Sequence, residues 1–144
     1  MILLKTTVIP AVMCLALSAA TALQAQERMR TGMWENTVTA ASGQSATHSS
    51  CFKPEDAAKS NGPAAAARAE TEKAMSKSGC TLKDFNLDSN TLTLTMVCAG
   101  IATHQETTFH GGDSFETTMT NTVNGVTKVT QIKSRRTGDC KGAD

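Results

Sequence analysis

The sequence predicts an α+β fold, mainly antiparallel sheet: a meander with an inserted alanine-rich helical segment, held by two disulfides. Three observations carry that reading. From Thr91 to Met96 threonine alternates with leucine and methionine, the period of two that marks a half-buried strand. Asn124-Gly125 lies between Val123 and Val126, and a two-residue type I′ hairpin turn needs positive φ at both central positions. Between Ala64 and Gly79, AAAARAETEKAMSKSG favours helix by propensity and ends on a glycine suited to a left-handed stop.

The chain opens with one lysine, Lys5, an apolar run from about Val8 to Leu17, and small residues ending near Ala25. This is the layout of a secretory signal peptide, its apolar core too short to span a bilayer comfortably. Cleavage is expected after Ala25, with Ala20-Thr21-Ala22 as an alternative site, and Cys14 leaves with the leader. Residues 26–144 then form one exported domain, without a transmembrane segment, in an oxidising compartment that is either the bacterial periplasm or the eukaryotic secretory route. Of the 14 Lys and Arg only Lys5 is lost, leaving 13 against 13 Asp and Glu, a formal charge of zero. Nucleic acid is not expected as a partner, because its binding needs a concentrated basic surface. The stretch holding Lys128, Lys133, Arg135 and Arg136 reads as a solvated strand face.

In the mature chain, WENTVTAA (Trp34 to Ala41) and the stretch Ser45 to Cys51 flank a turn at Ser42-Gly43-Gln44. They predict a first hairpin that extends or covers the same sheet, with Trp34 as a core anchor. Pro54-Glu55-Asp56 places a proline and two acids where a helix's first turn prefers them. Ser60-Asn61-Gly62-Pro63 interrupts that helix before the alanine-rich one begins. The second helix offers mostly alanine plus Met75 as its apolar side, so it buries little surface and either lies close to the sheet or acts as a lid.

Export makes Cys51, Cys80, Cys98 and Cys140 disulfide candidates. If Asp88-Ser89-Asn90 forms the loop, Leu87 faces Thr91 and the register sets Cys80 opposite Cys98, where a bridge can close. Leu82 then faces Met96 on the side of the sulfurs, Lys83 and the threonines point away, and Phe85 falls on the polar face. By elimination Cys51 pairs with Cys140. No C-x-x-C spacing suggests a redox role. Beyond Cys98, Gly111-Gly112-Asp113 separates Ile101–His110 from Ser114–Val123, placing Phe109 opposite Phe115 on the face of Met119. The last strand runs to about Arg136, and from Cys80 onward the reading is a four-stranded antiparallel meander.

The chemistry is sparse. His104, Glu106 and His110 share one strand face with Thr108 and are the candidate metal ligands. That face is opposite Phe109, and the span from His104 to His110 is too long for two rings to meet without a bend. His48 has no evident partner. No serine stands in a G-x-S-x-G elbow, and no phosphate loop, dinucleotide fingerprint or calcium loop is present, so no cofactor is expected. Asp84 with Asp88, or Glu55 with Asp56, are pairs that turn and helix-start chemistry explains. The aromatics are Trp34, Phe52, Phe85, Phe109 and Phe115, too few for stacking platforms for sugars or bases.

Taken together, GMWENTV, CFKPEDA, the Cys80 to Cys98 hairpin, GDSFETTMT and SRRTGDC resemble a family of small exported bacterial proteins, domain of unknown function 3617. The resemblance implies a Gram-negative periplasmic setting and a disulfide-bearing domain, and brings no catalytic residues with it. Lys53 stands where the family commonly has a hydroxyl residue able to cap the helix. The methionine-rich and proline-rich loop often found between the first two strands is here reduced to SGQSA. The leading functional expectation is a non-catalytic module that binds an apolar small molecule or an envelope protein with one sheet face beside the alanine-rich helix. The alternatives are a metal-binding or enzymatic protein using His104, Glu106 and His110, and a structural protein that self-associates through a strand edge.

Overall fold

The computed structural model describes residues 27–141, so the leader expected over residues 1–25 lies outside the described residues. Nine elements follow in order: β1 (Gly32–Thr39), β2 (Ser45–Phe52), α1 (Pro54–Ser60), α2 (Ala64–Lys77), β3 (Cys80–Leu87), β4 (Thr91–Cys98), β5 (Ile101–His110), β6 (Ser114–Val123) and β7 (Val126–Gly138). The strands form one sheet in the order β2-β1-β7-β6-β5-β4-β3, each neighbouring pair antiparallel. The meander from Cys80 has five strands, not four: the bracketed hairpin supplies two, and three follow. The first hairpin extends this sheet by pairing β1 with β7. As a result β2 and β3, joined only through the helices, lie at opposite edges, and the helical segment has to cross the sheet to connect them.

The turns obey their residues. Asn124 and Gly125 both take positive φ, 52° and 76°, which lets Val123 face Val126. In the first hairpin the loop closes through Ala40 and Gln44, the Ala40 amide donating to the Gln44 carbonyl at 2.8 Å. Helix α1 begins at Pro54 although Lys53, at the capping position, contributes no side-chain bond. Proline has no N–H to leave unpaired, and Glu55 and Asp56 complement the positive end of the helix. Helix α2 ends at Lys77, and Gly79, at φ 71°, turns the chain straight into β3.

The hairpin β3–β4 differs from the regular ladder in an informative way. Leu87 faces Leu92, not Thr91, and the Asp88 amide donates to the Thr91 carbonyl at 2.9 Å, a loop one residue longer than expected. Leu82 faces Met96 while Asp84 faces Thr95, which leaves Lys83 as an extra residue on β3. This β-bulge absorbs the longer loop, so Cys80 still faces Cys98. It also reverses the placement of Phe85, which faces Leu94 on the apolar side and not the polar one. The disulfide Cys80–Cys98 closes the open end of this hairpin, with Cα atoms 4.3 Å apart. The second, Cys51–Cys140, ties edge strand β2 to the chain after β7, with Cα atoms 5.4 Å apart.

Through the registers, one sheet face carries Trp34, Phe115, Phe109, Leu92, Leu94, Phe85 and Leu87, and the helices lie against part of it. The opposite face carries most of the strand threonines, among them Thr91, Thr93, Thr95, Thr108 and Thr118. Trp34 is the anchor: it is 2% exposed, its indole N–H donates to the Arg30 carbonyl at 2.9 Å, and its ring lies 5.6 Å from Phe115 and 6.4 Å from Phe52. Truncating such a residue costs about 3–5 kcal/mol. Only Ala57 and Leu94 join it as buried apolar residues among those described. The same face also buries Thr107, Thr117 and Ser134, each through a hydroxyl bond: Thr107 to Thr117 at 2.8 Å, and Ser134 to the Asn36 side-chain oxygen at 2.7 Å. Gly32 starts β1 at φ 140°, where a Cβ would stand 2.3 Å from the Gly138 carbonyl, so the approach of β1 to the end of β7 requires glycine.

Candidate functional site

Helix α2 returns along β3 and offers the sheet one stripe of small residues, Ala67, Thr71 and Ala74, with Met75 further on. None of its residues is fully buried. A wall of alanines cannot reach down to fill the space in front of the strands, and a groove of about 340 Å³ remains. Its floor is Phe85, Leu87, Leu92 and Phe109, all half-buried. Phe85 belongs to that floor only because of the bulge at Lys83. Phe109 is held by its own backbone, its amide donating to the Asn90 carbonyl at 2.8 Å.

Arg28, Met29, Lys59 and Ser60 set the mouth of the groove at the turn between the helices, and Glu70 lines it further along α2. Arg28 reaches to the turn between the helices, its Nε donating to the Ser60 carbonyl at 3.0 Å and an Nη2 hydrogen to the Gly62 carbonyl at 2.6 Å. Asn61 secures the same segment: its Oδ1 accepts from the backbone amides of Arg28 at 2.8 Å and Met29 at 3.0 Å, and its Nδ2 donates to the Met29 carbonyl at 2.8 Å. Burial lowers the pKa of the Arg28 guanidinium from its ordinary value, because the cation loses part of its water. The ion pairs among the described residues join Arg30 to Asp113, Arg68 to Glu72, Lys133 to Glu116, Arg135 to Glu35 and Arg136 to Asp139. Arg28 is in none of them.

Other depressions are chemically poorer. On the threonine face a basin of about 350 Å³ touches Glu35, Glu116, Lys133 and Arg135, but these charges already pair with one another, at 2.7 Å and 3.1 Å. A space of about 640 Å³ lies beside Cys51–Cys140, with Phe52 its only aromatic ring.

The candidate metal ligands are not brought together. His104, Glu106 and His110 are exposed on the threonine side of β5, and a strand sets residues six apart roughly 20 Å from one another. His104 Nδ1 lies 3.2 Å from the Thr95 hydroxyl. Among the described residues no three His, Cys, Asp or Glu side chains are grouped to hold a metal ion. His48 is exposed on edge strand β2. Asp88 accepts from the Ser89 amide at 2.7 Å in its turn, and Glu55 and Asp56 occupy the first turn of α1. The basic stretch of β7 is not one solvated face: Arg136 points inward, its Nε bonded to the Thr31 carbonyl at 2.7 Å, while Lys133 and Arg135 lie on the other side.

Arg28 carried no sequence signal, because its importance comes from a fold partner more than thirty residues away. No helix among the described residues is long and apolar enough to cross a membrane. The chain matches no curated protein and no solved structure. The family model for a protein of unknown function, DUF3617, matches residues 29–140, which span every strand and helix described above, and the chain belongs to that family.

Proposed function

We propose that this protein is a non-catalytic binding module of the periplasm, exported on a leader of residues 1–25, which holds an apolar small molecule between α2 and the sheet. The observation that carries this reading is the groove floor: Phe85, Leu87, Leu92 and Phe109 remain half-buried beside a helix whose facing residues are alanine and threonine. Apolar side chains gathered around a cavity of this size are what small-ligand sites consist of. Export is supported by the leader's charge and apolar pattern and by the pairing of all four remaining cysteines, which an oxidising compartment permits. Native mass spectrometry of protein exported in its own host tests the reading. A retained small molecule, lost on Leu92→Asp, is expected. Apoprotein alone sinks it, and a co-purifying envelope protein without a small molecule replaces it by a protein-docking reading.

A second reading, self-association, rests on β2. This edge strand has eight residues, no charged side chain and no proline, and all but Phe52 are exposed. Such an edge lacks the usual protection against pairing with another strand. Sedimentation of the wild type and of Thr47→Lys decides: a monomer at all concentrations removes this reading.

A further inference from the structure

We propose that the ligand of this groove is a single-chain amphiphile of the fatty-acid class, its tail on the Phe85–Leu92 floor and its carboxylate on Arg28. The inference rests on the groove reading above and adds the chemistry of the head group. Arg28 is half-buried at the groove mouth and spends two of its five N–H donors on the neutral carbonyls of Ser60 and Gly62. Those carbonyls orient the guanidinium without compensating its charge. No carboxylate among the described residues pairs with it. Partial burial of an unpaired cation is unfavourable, and an arriving carboxylate relieves it through charge-assisted hydrogen bonds.

Charge and size then orient the ligand. Lys59 adds a second positive charge at the same end of the groove, while Glu70, its one acid, stands six residues into α2 and about 9 Å along the helix axis. A carboxylate is therefore favoured beside the turn between the helices and disfavoured further along. From there Phe109, Leu92, Leu87 and Phe85 give the tail a continuous apolar path. A space of about 340 Å³ is at the lower end for ligand sites and suits one alkyl chain better than a two-chain lipid.

The test is competition against a neutral apolar dye, N-phenylnaphthylamine, on the oxidised mature chain at neutral pH and low salt, comparing decanoate with decanol. These competitors share the tail and differ in the charged head. Decanoate is expected to compete about tenfold better than decanol, the effect of a charge-assisted hydrogen bond or two. In Arg28→Gln that preference should vanish; the ratio of the two affinities is what is read, because loss of the bonds to Ser60 and Gly62 loosens the mouth for both competitors alike. Equal competition by the two in the wild type overturns the carboxylate head and leaves the groove standing. A preference that survives Arg28→Gln overturns the role of Arg28. No binding of dye, decanoate or decanol overturns both the groove reading and this inference. If circular dichroism shows Arg28→Gln unfolded, the wild type decides through salt: the ratio of decanoate to decanol affinity must shrink severalfold at molar salt, which cancels the salting-out common to both tails, and a salt-independent ratio overturns the inference.

Discussion

Asn61, in the turn between the helices, holds Met29 through both halves of its carboxamide, accepting from the Met29 amide at 3.0 Å and donating to the Met29 carbonyl at 2.8 Å. With the further bond from the Arg28 amide, the side chain imitates a strand partner for a segment that also meets Gly112 at the Met29–Gly112 bridge. It thereby fixes the groove mouth.

Asn61→Ala should lower stability by about 2 kcal/mol, three part-buried hydrogen bonds at a net contribution near 1 kcal/mol each less what water recovers. Urea denaturation measures this. Dye affinity should fall as well, since Arg28 and Met29 lose their tether. A change below about 0.5 kcal/mol would show that the segment is held elsewhere.

Lys83 is the inserted residue of β3, so its deletion is expected to convert the bulged ladder to a regular one. The Cys80–Cys98 bridge and the inward placement of Phe85 are both retained, at a cost below about 1 kcal/mol. Deleting Asn86 instead, on the loop side of the bulge, shifts the register and turns Phe85 outward. Non-reducing peptide mapping and urea melts of the two deletions separate these outcomes, and equal damage from both argues against the bulge as the compensating device.

Thr107 and Thr117 face each other across β5 and β6 with hydroxyls 2.8 Å apart, and Gln105 Nε2 also donates to Thr107 at 3.2 Å. Thr107→Val orphans two groups and Thr117→Val only one. Thr107→Val should cost about 2 kcal/mol and Thr117→Val about 1 kcal/mol, with the double substitution milder than their sum because both hydroxyls go together. A strictly additive double-mutant cycle would show that the pair does not interact.

The bridges close loops of very different length, 18 and 89 residues of separation. Loop-closure entropy assigns about 3 kcal/mol to Cys80–Cys98 and about 4.6 kcal/mol to Cys51–Cys140. Replacing each pair by alanine should therefore lower the urea midpoint more for the second. The opposite order would mean that the unfolded chain keeps structure near the first hairpin.

Local chemistry determined most of the elements. The Asn124-Gly125 turn, the Phe109–Phe115 pairing, the helix start at Pro54, the break at residues 60–63 and the Cys80–Cys98 bridge follow from residues adjacent in sequence or directly opposed across one turn, and Cys51–Cys140 then follows by elimination. Period two and turn geometry are properties of a few consecutive residues, so a single sequence carries them. Three features depended on the assembled sheet. The junction of β1 with β7 puts β2 and β3 at opposite edges, and no local pattern encodes a pairing between the two ends of a chain. The bulge at Lys83 balances a longer loop against a fixed pair of sulfurs, a compromise visible only when both ends of the hairpin are held. The groove arises because the helices must cross from edge to edge while carrying alanines too small to meet the strands, and Arg28 acquires its place from a turn that only the folded chain brings near it.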